Sequence, residues 1–326
     1  MPLPILAIAS SPSFVLNFLF LFFLGLAVGS FLNVVSIRYS PEKKLFHGIA
    51  GRSYCDHCGK TLSWYELIPL FSFLIQLGRC RSCHATLDLQ YPLVEFLSGV
   101  IFTAVPVSFL ANLDQSFYAM ARVFYPWFEV TRRTLTGGLT EGWIMTILWI
   151  LVFLTLLLIA VIDFRLKVIP DGLNIFLGVL AVTALATRYY FQDFGLIKGA
   201  VHDSFMGSYA VMFRFSDGLL INYLTGALLG VIFFGGLYFI TRGCGIGFGD
   251  VKLALPLGLI LGYPDIVLVS MISFILGAIV GVYFILIKKK GMKDSLPFGP
   301  FMVLGVTLVF FFGYDIVDVY FRLFKF

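Results

Sequence analysis

Two groups of residues in this chain have the types and spacing that chemistry requires. The first is a set of four cysteines, Cys55-x2-Cys58 and Cys80-x2-Cys83, with 21 residues between the pairs. Two such pairs supply four soft thiolates that can close a tetrahedron around Zn²⁺ at about 2.3 Å per bond. A site closed in this way keeps no open coordination position, so it staples a loop and does not catalyse. Gly59 suits the turn behind the first pair. His57 and His84 adjoin the pairs and could substitute as ligands, but their adjacency to the cysteines reads them as bystanders. The competing reading is disulfides or inert thiols, and disulfides need an oxidising compartment. Cys244 stands apart and reads as a small hydrophobe.

The second group is acidic. Of the 18 Asp and Glu, Glu95, Asp163, Asp171 and Asp250 fall in or at the edge of apolar segments. An ionisable side chain at membrane depth costs at least about 2.5–3.5 kcal/mol, so each is a functional candidate. Asp163 ends an apolar helix, and Asp250, 87 residues later, follows alternating Gly243, Gly245, Gly247 and Gly249. Two carboxyls meeting in a poorly hydrated site cannot both ionise, so one can serve as base for water and the other as acid for a carbonyl. The alternating glycines predict a non-helical stretch with free backbone groups, to which an extended peptide could add as a strand. Plainer alternatives exist: pairing of Asp163 with Arg165 or Lys167, and a favourable helix N-terminal position for Asp250. Asp171, after Pro170, reads as the N-terminal acid of a helix; Glu95 reads either as a helix-start acid or as a polar site facing neighbouring helices.

The elements that must position these groups are transmembrane. Of 326 residues, 60% are hydrophobic, 13% are charged and 37 are Phe, with a mean hydropathy of +0.96. Half the usual charge cannot cover a water-facing surface. The apolar runs are continuous and helix-length, which excludes a β-barrel and predicts an all-α polytopic membrane protein. About eight transmembrane helices are expected, near 14–37, 91–111, 142–162, 172–191, 218–240, 250–262, 265–287 and 300–321. The sixth is short and holds Pro256, so it should be broken, tilted or sheltered by neighbours. Met1 to Ser13 lacks Lys and Arg, so the first run reads as a retained helix and not a secretory signal. Most of the 23 Lys and Arg fall in connections on one side, which the positive-inside rule makes cytoplasmic. The four-cysteine loop 38–90, Asp163 and Asp250 share that side, and the longer connections 112–141 and 192–217 fall outside. A net charge of +5 bears on orientation in lipid and gives no footprint for nucleic acid. No internal repeat is visible.

Taken in order, these motifs resemble the bacterial type IV prepilin leader peptidases. The resemblance runs through Gly29-Ser-Phe-Leu-Asn33, the paired cysteines flanking Ile68-Pro69, and Gly78-Arg79-Cys80. It continues through Tyr91-Pro-Leu-Val-Glu95, Ile162-Asp163 with Ile169-Pro170-Asp171, Gly247-Phe-Gly249-Asp250-Val-Lys252, and Pro297-Phe-Gly-Pro300. Three positions differ from the usual pattern: Arg79 for Lys, Leu67 for Asn, and Asp56 where Pro commonly follows the first cysteine.

The resemblance implies a GxGD-type membrane aspartic protease with Asp163 and Asp250 as its carboxylates. Such enzymes cut the leader of type IV prepilins or type II secretion pseudopilins at the cytoplasmic face of the bacterial inner membrane. They then N-methylate the new terminal residue with S-adenosylmethionine, an activity associated with the cysteine loop, where Gly78, Arg79 and Glu95 are the candidate donor-binding residues. The implied organisation is a first helix (1–37), the zinc loop (38–90), a second helix with an outer loop (91–141), and a six-helix peptidase domain (142–326). The alternative is a non-enzymatic scaffold of a pilus or secretion machine that docks a partner through its zinc loop.

Overall fold

The computed structural model describes residues 12–41, 51–55, 57–112, 138–192, 204–213, 218–243, 245–287 and 296–323. Most of the two longer connections, 112–141 and 192–217, as well as Cys244, lie outside the described residues. The backbone divides into two compact units, Met1–Tyr118 and Ala119–Phe326. Every regular element described is helical. Seven helices among the described residues are long and apolar enough to cross a membrane.

The first unit is a pair of long helices, α1 (Pro12–Arg38) and α3 (Gln90–Asn112), with the cysteine segment between them. That segment adds a single 3₁₀ turn, Trp64–Leu67, and the short helix α2 (Phe71–Ile75). In lipid no hydrophobic force drives two helices together, so close backbone approach must supply the contact. Here glycines allow it. A Cβ at Gly25 would stand 2.7 Å from the Ser98 carbonyl oxygen, one at Gly29 2.7 Å from Glu95 Cα, and one at Gly99 2.7 Å from the Phe22 ring. Polar ties complete the seam: Asn33 Nδ2 donates to the Tyr91 carbonyl (3.0 Å) and Gln90 Nε2 to Ser36 Oγ (3.1 Å).

The second unit holds α4 (Gly138–Leu166), α5 (Asp171–Gln192), the single turn α6 (Ala210–Phe213), α7 (Leu219–Thr241), α8 (Phe248–Leu261), α9 (Asp265–Leu286) and α10 (Gly299–Leu323). Helix α4 packs on α5 and α10, α7 on α8 and α9, α9 on α10, and α8 on both α5 and α7. The sixth expected span is α8. At 14 residues it reaches only about 21 Å, short of the hydrocarbon thickness. It is neither broken nor exposed. It runs unbroken through Pro256 and buries Leu253, Ala254 and Leu257 completely. Shelter by neighbours is what lets a short, proline-bearing helix sit at membrane depth. The shelter is tight: a Cβ at Gly258 would lie 2.5 Å from Ala227 Cα, and one at Gly226 2.7 Å from Gly262 Cα.

The helices leave two polar ends on this unit. One end gathers Asp163, Asp171, Lys252, Asp250 and Gly299. The other carries Asp265, which accepts from Ser204 Oγ (2.8 Å) and the Phe205 N–H (3.1 Å). Arg188 stacks over the Tyr223 ring at 5.1 Å near the same end.

A candidate carboxylate pair and a four-cysteine module

The acidic site is assembled by three helix ends. Asp163 lies in the last turn of α4, where the chain is about to leave the helix for the 167–170 connection. Its Oδ2 accepts the Gly299 N–H at 3.0 Å, across 136 residues of sequence. A Cβ at position 299 would stand 2.6 Å from that same oxygen, so any side chain there must displace the carboxyl. Asp250 lies in the first turn of α8, and its Oδ2 accepts the Gly247 N–H at 3.1 Å. This closes the N-terminus of the helix with an acid, as the macrodipole favours.

Both carboxyls are buried, with Asp163 5% and Asp250 6% exposed. They lie close enough for the charge of Asp163 to act on Asp250. The structure thus brings together two acids 87 residues apart and commits one oxygen of each to a backbone N–H. The carboxylate of Asp163 is held by Gly299 from α10, a partner other than the nearby Arg165 or Lys167 considered from sequence. Asp171 opens α5 as expected and pairs with Lys252 Nζ at 2.7 Å. The same ammonium lies 5.2 Å from the centre of the Phe248 ring.

The glycine segment differs from expectation. Gly249 is inside α8 and Gly247 is its N-cap with extended backbone (φ −74°, ψ 152°). Of the four alternating glycines, Gly243 is the one in the left-handed region, at φ +75°. Gly249 is small for a packing reason: the Ile169 side chain lies 3.3 Å from where its Cβ would be. Within Pro297-Phe-Gly-Pro300, nothing in the sequence alone gives Gly299 a role. Its signal was a glycine at a helix start, too common to carry a role.

In the first unit the four cysteines converge. The Sγ atoms of Cys55, Cys58, Cys80 and Cys83 all lie within 4.8 Å of one another. Cys55 Sγ and Cys83 Sγ are 3.9 Å apart, close to the edge of a tetrahedron with about 2.3 Å metal–sulfur bonds. All four are free thiols. His57 and His84 are not part of the cluster.

The two cysteine pairs repeat one local structure at a spacing of 25 residues. In the first, Cys55 N–H bonds to the Lys60 carbonyl (3.0 Å), Gly59 N–H to that of Cys55 (2.8 Å), and Leu62 N–H to that of Ser53 (2.9 Å). In the second, Cys80 pairs with Ala85 (2.8 Å), His84 with Cys80 (2.9 Å) and Leu87 with Gly78 (2.8 Å). Gly59 at φ +69° and His84 at φ +56° occupy the same left-handed position. This small internal repeat lies in the turns and not in the side chains, so a scan for sequence repeats passes over it. Backbone N–H groups of Cys83 and Ser82 draw the Cys80 thiol down to about 6. Cys83 of the same turn, despite the Ala85 N–H, is pushed up to about 11 by burial and the neighbouring sulfurs, so the turn readies one thiolate, the donor that zinc takes.

The three residues considered for the methyl donor have different surroundings. Gly78, at φ +68°, and Arg79, which bridges to Thr86, belong to the second cysteine turn. Glu95 is buried on α3, where its Oε2 accepts the Leu70 N–H at 2.8 Å.

Comparison with known proteins agrees with this division. Residues 23–109 match the bacterial peptidase A24 N-terminal domain, and residues 150–282 match the type IV leader peptidase family. The chain is 29% identical over 305 residues to a prepilin leader peptidase/N-methyltransferase of Bacillus subtilis (strain 168), covering 93% of this chain and 97% of that one. It is 25% identical over 334 residues to the protein of the same name from Aeromonas hydrophila, covering 94% of each. It is 31% identical over 268 residues to that of Myxococcus xanthus (strain DK1622), covering 82% of this chain and 63% of the relative. No solved structure matches. With both family domains in order and relatives aligned along nearly its whole length, the chain belongs to the type IV leader peptidase family.

Proposed function

We propose that this chain is an aspartic endopeptidase of the bacterial cytoplasmic membrane that removes the leader of type IV prepilins or pseudopilins. Asp163 and Asp250 are its catalytic carboxylates. The observation that carries the reading is the convergence of these two buried acids, each held by one backbone N–H and close enough for the charge of Asp163 to act on Asp250.

In a water-poor site such a pair shares one proton. The ionised carboxyl takes a proton from water as the water oxygen attacks the scissile carbonyl carbon. The protonated partner gives its proton to the carbonyl oxygen, forming a tetrahedral intermediate. Collapse breaks the C–N bond as the leaving nitrogen takes up a proton, and the pair returns to its starting charge. Gly299 and Gly247 orient the carboxyls throughout. Arg165, Lys167, Arg242 and Lys252 cluster in sequence around this end of the helices, which supports its facing the cytoplasm.

Methyl transfer to the new N-terminus belongs, in this reading, to the first unit. S-adenosylmethionine supplies an electrophilic methyl group there. Gly78 and Arg79 are the residues proposed to face it. Glu95, buried and bonded to Leu70, acts through the Ile68–Leu70 segment as a positioning residue. Zinc held by Cys55, Cys58, Cys80 and Cys83 staples the segment between α1 and α3 and takes no part in either reaction.

The deciding experiment incubates detergent-solubilised full chain with a prepilin bearing a Gly–Phe junction and reads intact mass. Leader loss followed by a gain of about 14 Da, the mass of a methyl replacing hydrogen, is the expected result. D163N and D250N should each abolish leader loss at unchanged protein level. Retained cleavage in either single variant rejects the two-carboxylate mechanism.

A further inference from the structure

We infer that Asn174 is a substrate-binding residue of the peptidase site, whose carboxamide holds the peptide backbone of the leader segment beside the two acids. The inference rests on the carboxylate assignment made above. Asn174 lies in the first turn of α5 and is 8% exposed, yet neither its Oδ1 nor its Nδ2 has a hydrogen-bond partner among the described residues. It shares the buried face of α5 with Leu173, Leu177, Leu180 and Ala181, the face that packs on α4 and α8.

Those are the helices that carry the acids. One turn before Asn174, Asp171 binds Lys252, two residues past Asp250. In the connection just before α5, Ile169 packs against Gly249. Asn174 therefore sits at the same end of the unit as Asp163 and Asp250.

A buried carboxamide with neither half bonded destabilises a fold. A leucine, which has the same side-chain heavy-atom count and branching, would leave no polar group unpaired if packing were the only demand. A carboxamide presents one acceptor and a donor pair, the complement of a peptide group with its own C=O and N–H. An extended substrate backbone would satisfy both halves at once, and it is the group an endopeptidase must fix next to its acids. Polar groups left unpaired until substrate arrives are a familiar way in which binding sites trade stability for affinity.

The test is N174L in the full chain, solubilised in detergent, with a synthetic prepilin peptide carrying a Gly–Phe junction. KM should rise at least ten-fold with kcat within a few-fold of the parent, and the unfolding temperature should stay level or rise. An unchanged KM overturns the inference. So does a KM rise accompanied by a lower unfolding temperature, because that is the signature of a packing residue. If N174L fails to accumulate, N174A is read for KM alone: a ten-fold rise supports the inference and parent behaviour overturns it. D163N and D250N measured alongside separate the two levels of argument. Cleavage surviving in either removes the carboxylate reading, whereas loss in both with parent KM in N174L removes only the role of Asn174.

Discussion

At the scale of single residues, the decisive contacts are backbone N–H groups aimed at carboxyls. Gly299 is the clearest. Its N–H holds Asp163, and its missing side chain leaves room for that oxygen at 2.6 Å from the Cβ position. We expect G299A to displace the Asp163 carboxyl and lower the rate of leader cleavage on the order of 10²-fold, with protein level near normal. A rate within two-fold of the parent would show that the carboxyl is not held there during catalysis. The neighbouring Asp171–Lys252 pair should matter much less. Its two side chains are 68% and 40% exposed, so solvent screens it, and D171N should shift stability by less than about 1 kcal/mol in a thermal scan.

At the scale of elements, two devices stand out. One is the burial of α8, which depends on glycine-to-backbone contact with α7. A side chain at Gly258 would meet Ala227 Cα at 2.5 Å and the Gly226 carbonyl at 2.6 Å. Neither is a movable side chain, so the helices must part. G258V should destabilise the chain by several kcal/mol and leave little folded protein in the membrane, while a normal yield of active enzyme would contradict the packing described. The other device is the twin cysteine turn. Purified protein should carry about one zinc per chain, and strong chelation should expose four further thiols to alkylation. Metal-free protein with those four thiols already reactive would refute zinc ligation.

At the scale of the whole molecule, the chain consists of two compact units, each matched by its own family domain. The acids belong to one and the cysteines to the other. The two activities should therefore separate. C80S should impair methyl transfer to a pre-cut peptide far more than leader cleavage, and D250N should do the reverse, both read by intact mass. Equal loss of both activities in both variants would mean that the units do not divide the chemistry.

The sequence by itself determined the class of the protein and singled out its two candidate groups. Unbroken apolar runs with so few charges leave helices in a membrane as the one workable arrangement, because lipid offers backbone groups no other partner. Cysteine spacing announced the knuckles, since two residues between thiols is what one turn permits. Acids beside apolar runs stood out because burying them is costly.

Other features depended on contacts between distant segments. Nothing local to Asp163 names Gly299 as its partner across 136 residues. The run after Gly243 looked unable to form a helix on propensity, yet Gly249 became helical because α5 and α7 enclose α8 and Ile169 claims the space beside it. An asparagine in an ordinary helix start says nothing until burial removes its water and leaves its amide unpaired. Composition and spacing report what each residue can do alone, and long-range packing decides which residues meet.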